Sequence, residues 1–191
     1  EHSQKVERTA QTLGLPVAEY TAQTAAAWKS LFDKLGISYS RFIRTTDTDH
    51  IKVVQDMFQK LYDRGDIYKG SYEGWYCVKD EEFLLESDLV GGKCPHCGLD
   101  VQHVSETNYF FRLSRYRDRL QNWYEHHPDF VRPEARYNEL INVIRGGLKD
   151  ISVSRSTVKW GVPVPFDEDQ TVYVWFDALI NYVTTAGYGT E

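Results

Sequence analysis

The sequence predicts an α/β fold in which two α/β segments flank a compact β-rich insert, the pattern of an insertion between two halves of one open sheet. Three observations carry this. Apolar residues recur at helical spacing through the first 65 positions. The texture then changes at Ile67 to an aromatic, glycine-punctuated run. Beyond Val172 a short apolar run leads straight into another helical pattern. With 191 residues, 41% of them hydrophobic, the chain has room for one ordinary domain and a core of real size. A net charge of −6 does not suggest attachment to nucleic acid by bulk charge and leaves a local basic patch open. No apolar run approaches a membrane span and no signal peptide is visible. The three cysteines fall in one window, which suits metal binding in a reducing compartment, so a soluble, cytoplasmic protein is expected.

Residues 3–13 read as a polar helix ended by Gly14, with Pro16 beyond it. Thr21 is placed to cap a second helix, whose Ala25, Trp28, Leu31, Phe32 and Leu35 form a stripe expected to pack in the core before Gly36 stops it. Residues 39–43 are short and β-rich. Asp49 is the expected cap of a third helix, with Val53, Val54, Met57, Phe58 and Leu61 on one face and Gly65 at its end. Residues 67–77 and 108–111 read as strands. Two helices follow, over 116–127 and 134–144, closed by Pro128 and by Gly146-Gly147. Residues 151–153 and 172–175 read as strands, and Asp177 opens a final helix through Tyr182. The chain starts at Glu1 without a lead-in and stops soon after an apolar helix, which is read as a piece of a longer protein.

Three constellations carry chemistry. The first is Cys77-Val78-Lys79-Asp80 and, separated from it by thirteen residues, Cys94-Pro95-His96-Cys97. Two short turns, each offering two donors, complete a tetrahedron around one zinc ion. Asp80 supplies a harder oxygen donor than the usual thiolate, and His96 or His103 is an alternative fourth ligand. A closed four-ligand site is structural, because no coordination position is left for water. The second constellation runs from Ser154-Arg155 to Trp160-Gly161-Val162-Pro163-Val164-Pro165, a stiff segment that presents an arginine fork suited to carboxylate or phosphate, or else an ordinary surface loop. The third is the strand-to-helix junction, where Trp175, Ala178, Leu179 and Tyr182 either line an apolar pocket able to hold a thioether or form a core cluster.

In this order the three segments resemble the class I methionyl-tRNA synthetases. Ser154-Arg155 with Trp160-Gly161-Val162-Pro163 resembles a segment shared by several class I synthetases. Val174-Trp175-Phe176-Asp177-Ala178-Leu179-Ile180-Asn181-Tyr182 is similar to the methionine enzymes in particular, because the valine, isoleucine and leucine enzymes read differently at this helix. The knuckle and Asn108-Tyr109-Phe110-Phe111 resemble their connective insertion. Glu1-His2-Ser3-Gln4-Lys5-Val6-Glu7 resembles the helix start after a Thr-Asp-Glu-His-Gly segment, with Ser3 in place of the glycine.

The resemblance implies a central fragment: residues 1–66 end the first half of a Rossmann-type catalytic domain, 67–170 form the connective insertion, and 171–191 begin the second half. It implies that Arg155 assists amino-acid activation by holding the substrate carboxylate and that His2 belongs to the active-site segment. Trp175, Ala178, Leu179 and Tyr182 then line the methionine side-chain pocket, and Cys77, Asp80, Cys94 and Cys97 hold one structural zinc. Asp80 is a departure from the family's cysteine or histidine. Methionine, ATP with magnesium and tRNA(Met) are the implied partners. The HIGH-type and KMSKS-type ATP-binding motifs are expected upstream of Glu1 and downstream of Glu191, so this stretch alone is expected to be inactive. The competing expectation is a free-standing zinc-knuckle RNA-binding module without enzymatic activity. A strand-to-helix aromatic pocket argues against it.

Overall fold

The structure, a computed structural model, describes residues 1–189; the last two positions of the expected 171–191 segment lie outside the described residues. Helix α1 (Gln4–Thr12) starts at Ser3, whose Oγ accepts from the Val6 amide at 3.2 Å, and stops at Leu13 before Gly14. Helix α2 (Val17–Lys34) begins earlier than its expected cap. Pro16 precedes the first turn, and the Thr21 hydroxyl donates back to the carbonyls of Val17 and Ala18. Its stripe is not core: Trp28, Leu31 and Leu35 are exposed, and Phe32 packs edge-on against Trp28, Tyr39 and Phe42. Residues 39–43 form no strand. They stay irregular, with the Tyr39 hydroxyl donating to Asp33. Helix α3 (Thr48–Asp63) takes Asp47 rather than Asp49 as its N-cap and buries His50, Val53, Val54 and Phe58.

Strands β1 (Ile67–Cys77) and β3 (Gln102–Phe111) form a long antiparallel ribbon, in register from Ile67 opposite Phe111 to Tyr76 opposite Gln102. Strand β2 (Glu82–Leu84) pairs with the far end of β1 and β4 (Ile151–Ser152) with the near end of β3, giving the order β2-β1-β3-β4. The knuckle turns therefore hang from the far end of the ribbon. Helices α4 (Arg117–His126) and α5 (Glu134–Gly146) pack together beyond β3. A second antiparallel sheet, β5-β7-β6, comprises β5 (Ser154–Arg155), β6 (Pro163–Val164) and β7 (Asp167–Val172). Helix α6 (Val174–Thr185) follows from Tyr173 as its N-cap. Of the expected strand over 172–175 only Val172 is strand, since Val174 and Trp175 already belong to α6, and Asp177 lies in the first turn and not at the cap.

Every strand pairing among the described residues is antiparallel. The segments flanking the insert therefore contribute mainly helices, α1 to α3 before it and α6 after it. One core joins them to the insert: Val53, Val54 and Phe58 of α3 meet Ile67, Tyr109, Val153, Val162, Val164, Val172 and Ile180. It crosses both boundaries expected from the sequence, and the one at 170/171 falls inside β7. Burying a side chain the size of Phe58 contributes about 1.5–3 kcal/mol by removal from water. Phe58 also packs against the rings of Tyr109, Phe166 and Phe176.

A shared core has a measurable consequence. Phe58→Ala is expected to destabilise the protein by about 3–5 kcal/mol in denaturant unfolding. Native-state hydrogen exchange is expected to find the α3 amides around Val54 and Phe58 as protected as those at the centre of the β1–β3 ribbon.

Candidate functional site and metal centre

At the far end of the ribbon, Cys77 closes β1 and Asp80 sits in the turn to β2. Cys94 and Cys97 come from a tight turn in which the Gly98 amide donates to the Cys94 carbonyl at 3.0 Å; glycine suits the positive φ of +70° required there. The ligand atoms of Cys77, Asp80, Cys94 and Cys97 all lie within 4.8 Å of one another. The Cys94 and Cys77 thiols donate to Asp80 Oδ2 at 3.1 and 3.3 Å, and Cys77 and Cys97 Sγ are 3.5 Å apart. Asp80 therefore takes the fourth place. His96 faces Glu82 at 3.3 Å, and His103 stands edge-on to Trp75. Burial pushes the Cys77 thiol up to about 12, and the hydrogen bond to Asp80 raises Cys97. The thiols of Cys97 and Cys94 in turn hold the Asp80 carboxyl below its ordinary range. Three soft donors and one carboxylate oxygen fit a divalent ion such as zinc, and binding must release the thiol protons.

Arg155 is 3% exposed and committed to a carboxylate. Its Nε and Nη2 donate to Glu106 at 2.9 and 2.8 Å, and Glu106 also accepts from Thr157 at 2.8 Å and Asn108 at 3.2 Å. The guanidinium lies 4.1 Å from the ring centre of Tyr76 and 5.0 Å from that of Phe83. Nη1 has no hydrogen-bond partner among the described residues. Burial pushes the Glu106 carboxyl upward, but Arg155 outweighs it and the carboxyl is held below its ordinary range.

His2 is buried, and its Nδ1 lies 2.8 Å from Asp177 Oδ2. The other oxygen of Asp177 lies 2.8 Å from His50 Nε2, and His50 Nδ1 is 3.0 Å from the Thr184 hydroxyl. Burial alone raises Asp177, yet His2 and His50 hold its carboxyl below the usual carboxylate range. The His2 ring also meets Trp160 edge-on, and the Trp160 indole donates to the Glu1 carbonyl at 3.0 Å.

Asp177, Ile180 and Thr184 mark the buried face of α6. Trp175, Ala178, Leu179 and Tyr182 recur at i, i+3, i+4 and i+7 and so share the opposite face. Trp175 is 53%, Leu179 61% and Tyr182 77% exposed, and Ala178 is half-buried. Trp175 and Leu179 line a cavity of about 950 Å³ between α6 and the four-stranded sheet, together with Tyr72, Phe83, Phe111 and Val153. Ala178 and Tyr182 extend the same face past its rim. Arg155 does not open into this cavity. With His2 and Trp160 it lines a small recess of about 10 Å³, and Glu81 and Tyr173 line both spaces.

Sequence reasoning did not find Glu106, His50 or Glu81. A strand pattern that places a buried carboxylate at Glu106, between exposed Ser105 and Thr107, is the one local sign that an arginine must answer it. Nothing local marks the other two.

Comparison with known proteins gives the class first. A family model described as tRNA synthetases class I (M) matches residues 1–107 and 100–191, so the fold is that of a class I synthetase segment. Methionine–tRNA ligases from Caldanaerobacter subterraneus subsp. tengcongensis and Clostridium perfringens are 54% and 52% identical over the whole chain. The chain spans about 30% of the length of each of these relatives. Among solved structures, Mycobacterium tuberculosis methionyl-tRNA synthetase in complex with methionyl-adenylate matches with a TM-score of 0.95 at 43% identity, over 99% of this chain and 38% of that one. The free-state form of that enzyme matches with a TM-score of 0.79 over 90% of this chain. The chain belongs to the methionyl-tRNA synthetase family. The matches run through the knuckle and both flanking segments, which is not the pattern of a free-standing RNA-binding module.

Two outcomes are expected. Cobalt(II) titration should give intense thiolate-to-metal absorption at one equivalent, lost in Cys94→Ser, with affinity falling as the pH is lowered because protons compete for the thiolates. Asp177 and Glu106, both held below the ordinary carboxylate range, contribute stability that is fully present above pH about 4, where the unfolded groups titrate. That contribution is lost as the pH falls through the folded values. Denaturant unfolding at a series of pH values should show Asp177→Asn and Glu106→Gln less stable at pH 7, with a shallower loss below pH about 4 than the parent.

Proposed function

We propose that this chain is the central part of a cytoplasmic methionine–tRNA ligase, which activates methionine with ATP and transfers it to tRNA(Met). In this reading residues 1–66 end the first half of the Rossmann-type catalytic domain, 67–170 are the connective insertion, and 171–191 begin the second half. The observation that carries it is the α6 face: Trp175, Ala178, Leu179 and Tyr182 stand together beside an apolar cavity, on a chain similar along its whole length to methionine–tRNA ligases. An indole and a phenol around a small alanine leave a slot for an unbranched thioether, which sulfur–aromatic contact favours. A β-branched side chain is excluded by shape.

In the first step a methionine carboxylate oxygen attacks the α-phosphorus of ATP and pyrophosphate leaves. In the second a terminal tRNA hydroxyl takes the methionyl group and AMP leaves. Catalysis of this kind rests on positioning and on stabilising charge. Arg155 serves the first step. Two of its nitrogens are fixed by Glu106, and the recess it lines shares Glu81 and Tyr173 with the α6 cavity, so its charge stands on that side of the cavity, where this reading puts the methionine carboxylate. His2, fixed on Asp177, keeps the active-site segment against α6. Cys77, Asp80, Cys94 and Cys97 hold one zinc, whose role is to brace the insert. ATP with magnesium is bound by parts of the ligase other than this chain.

In the complete ligase, Trp175→Ala is expected to raise the methionine KM at least tenfold in ATP–pyrophosphate exchange and to leave the ATP KM unchanged. Arg155→Lys keeps the charge without the fork and is expected to lower kcat/KM for methionine by about two orders of magnitude. The 191-residue chain alone should show no methionine-dependent exchange. Exchange by that chain, or an unchanged methionine KM in Trp175→Ala, would overturn this reading.

A further inference from the structure

Glu81 follows the knuckle residue Asp80 and is the one non-glycine residue at positive φ among the described residues, at +52°. A left-handed glutamate is an uncommon backbone state that persists only where its surroundings over-determine it. Here they do. Its carboxylate accepts from the Lys5 amide at 3.1 Å, one of the amides that the first turn of α1 leaves without an intrahelical partner, and from the Tyr76 hydroxyl of β1. Both contacts are remote in sequence or in another element, and the residue is buried.

The consequence lies on the other side of the peptide. The left-handed turn points the Glu81 carbonyl away from the knuckle and toward the start of α6. There it accepts from the indole Nε1 of Trp175 at 2.9 Å and from the Tyr173 hydroxyl. Burial pushes the Tyr76 and Tyr173 phenols upward, so both remain O–H donors. The Trp175 ring is otherwise half free: it is 53% exposed on an open helix face, where an unpinned indole would sample several rotamers. One acceptor from the insert selects among them. Glu81 lines both the cavity beside α6 and the recess beside Arg155, which puts it between the two parts of the site.

We propose that Glu81 is a positioning residue for the amino-acid pocket: through its left-handed carbonyl the insert sets the orientation of Trp175. This rests on the reading of Trp175 as a wall of that pocket. A positioning residue changes substrate affinity without touching substrate, and it does so through a geometry that a conservative replacement restores.

The test uses the complete ligase with Glu81→Ala, Glu81→Gln and Glu81→Gly, and Trp175→Ala as the control for the pocket. Glu81→Ala is expected to raise the methionine KM roughly five- to tenfold, the effect of losing one or two positioning hydrogen bonds. The ATP KM should stay constant, and Glu81→Gln, which keeps an acceptor for Lys5 and a polar partner for Tyr76, should restore most of the loss. Glu81→Gly adopts positive φ freely and removes the carboxylate. It is expected to show the same split, and it stands in if Glu81→Ala fails to fold. In enzyme labelled with 5-fluorotryptophan, the fluorine resonance of Trp175, assigned with Trp175→Phe, should be single and sharp in the parent and shifted or broadened in Glu81→Ala. A folded Glu81→Ala or Glu81→Gly enzyme with the parental methionine KM and the parental Trp175 resonance would overturn the proposal. An unmoved methionine KM in Trp175→Ala would instead remove the pocket reading, and the fluorine spectrum would still decide whether Glu81 holds the indole.

Discussion

One buried carboxylate ties together the parts of the chain that sequence keeps furthest apart. Asp177 receives His2 on one oxygen and His50 on the other, and His50 passes the link to Thr184. A carboxylate without these partners could not be buried at such a position, because the desolvation penalty of an unpaired charge is several kcal/mol. With them, it fixes the rotation of α6 about its axis. Since Asp177 points inward, Trp175, Ala178, Leu179 and Tyr182 must point to the cavity side. The outward face of the helix is thus determined by a contact made on its inward face. Glu1 extends the arrangement, because Arg44 and Thr46 hold its side chain while the Trp160 indole holds its carbonyl.

The Arg155–Glu106 pair follows the same logic with a different aim. A buried, bidentate ion pair contributes little net stability over an apolar pair of the same shape, whereas removal of one partner leaves a buried charge and is expected to cost about 3–5 kcal/mol. What the pair provides here is direction. Glu106 occupies Nε and Nη2, the Tyr76 and Phe83 rings flank the guanidinium, and Nη1 is the donor left over. An arginine held this way keeps its guanidinium plane fixed and does not swing.

Much of the local structure was legible in the sequence. The spacing of Val53, Val54, Phe58 and Leu61 and the stop at Gly14 belong to short-range rules, and helices α1, α3, α4 and α5 lie close to where these place them. The junction before α6 was misread because Val172-Tyr173-Val174-Trp175 has the composition of a strand, and only the tertiary environment turns Val174 onward into helix. The apolar stripe of α2 was misread for the reverse reason: periodicity marks a face but does not supply the surface that covers it. In the site, the four knuckle positions and the α6 face were legible because their spacing is local. Glu106, His50 and Glu81 were not, since each acts through a partner 49, 127 or 94 residues away and no local rule encodes such a meeting.

These observations together change what the knuckle is for. Taken by itself, a Cys3Asp cluster at the tip of a ribbon is a closed brace with no coordination position for substrate. In the fold, however, the ribbon doubles back so that the residue after Asp80 lies against α1, β1 and the first turn of α6 at once. A brace at that point holds more than its own turns. The thiol contacts that hold Asp80 also anchor the adjoining residue, whose carbonyl meets the indole of Trp175, and a rigid acceptor restricts a side chain better than a mobile one. The departure at Asp80 sits at the end of the knuckle nearest that peptide. The carboxylate that completes the cluster and the carbonyl that orients the tryptophan therefore belong to one short turn.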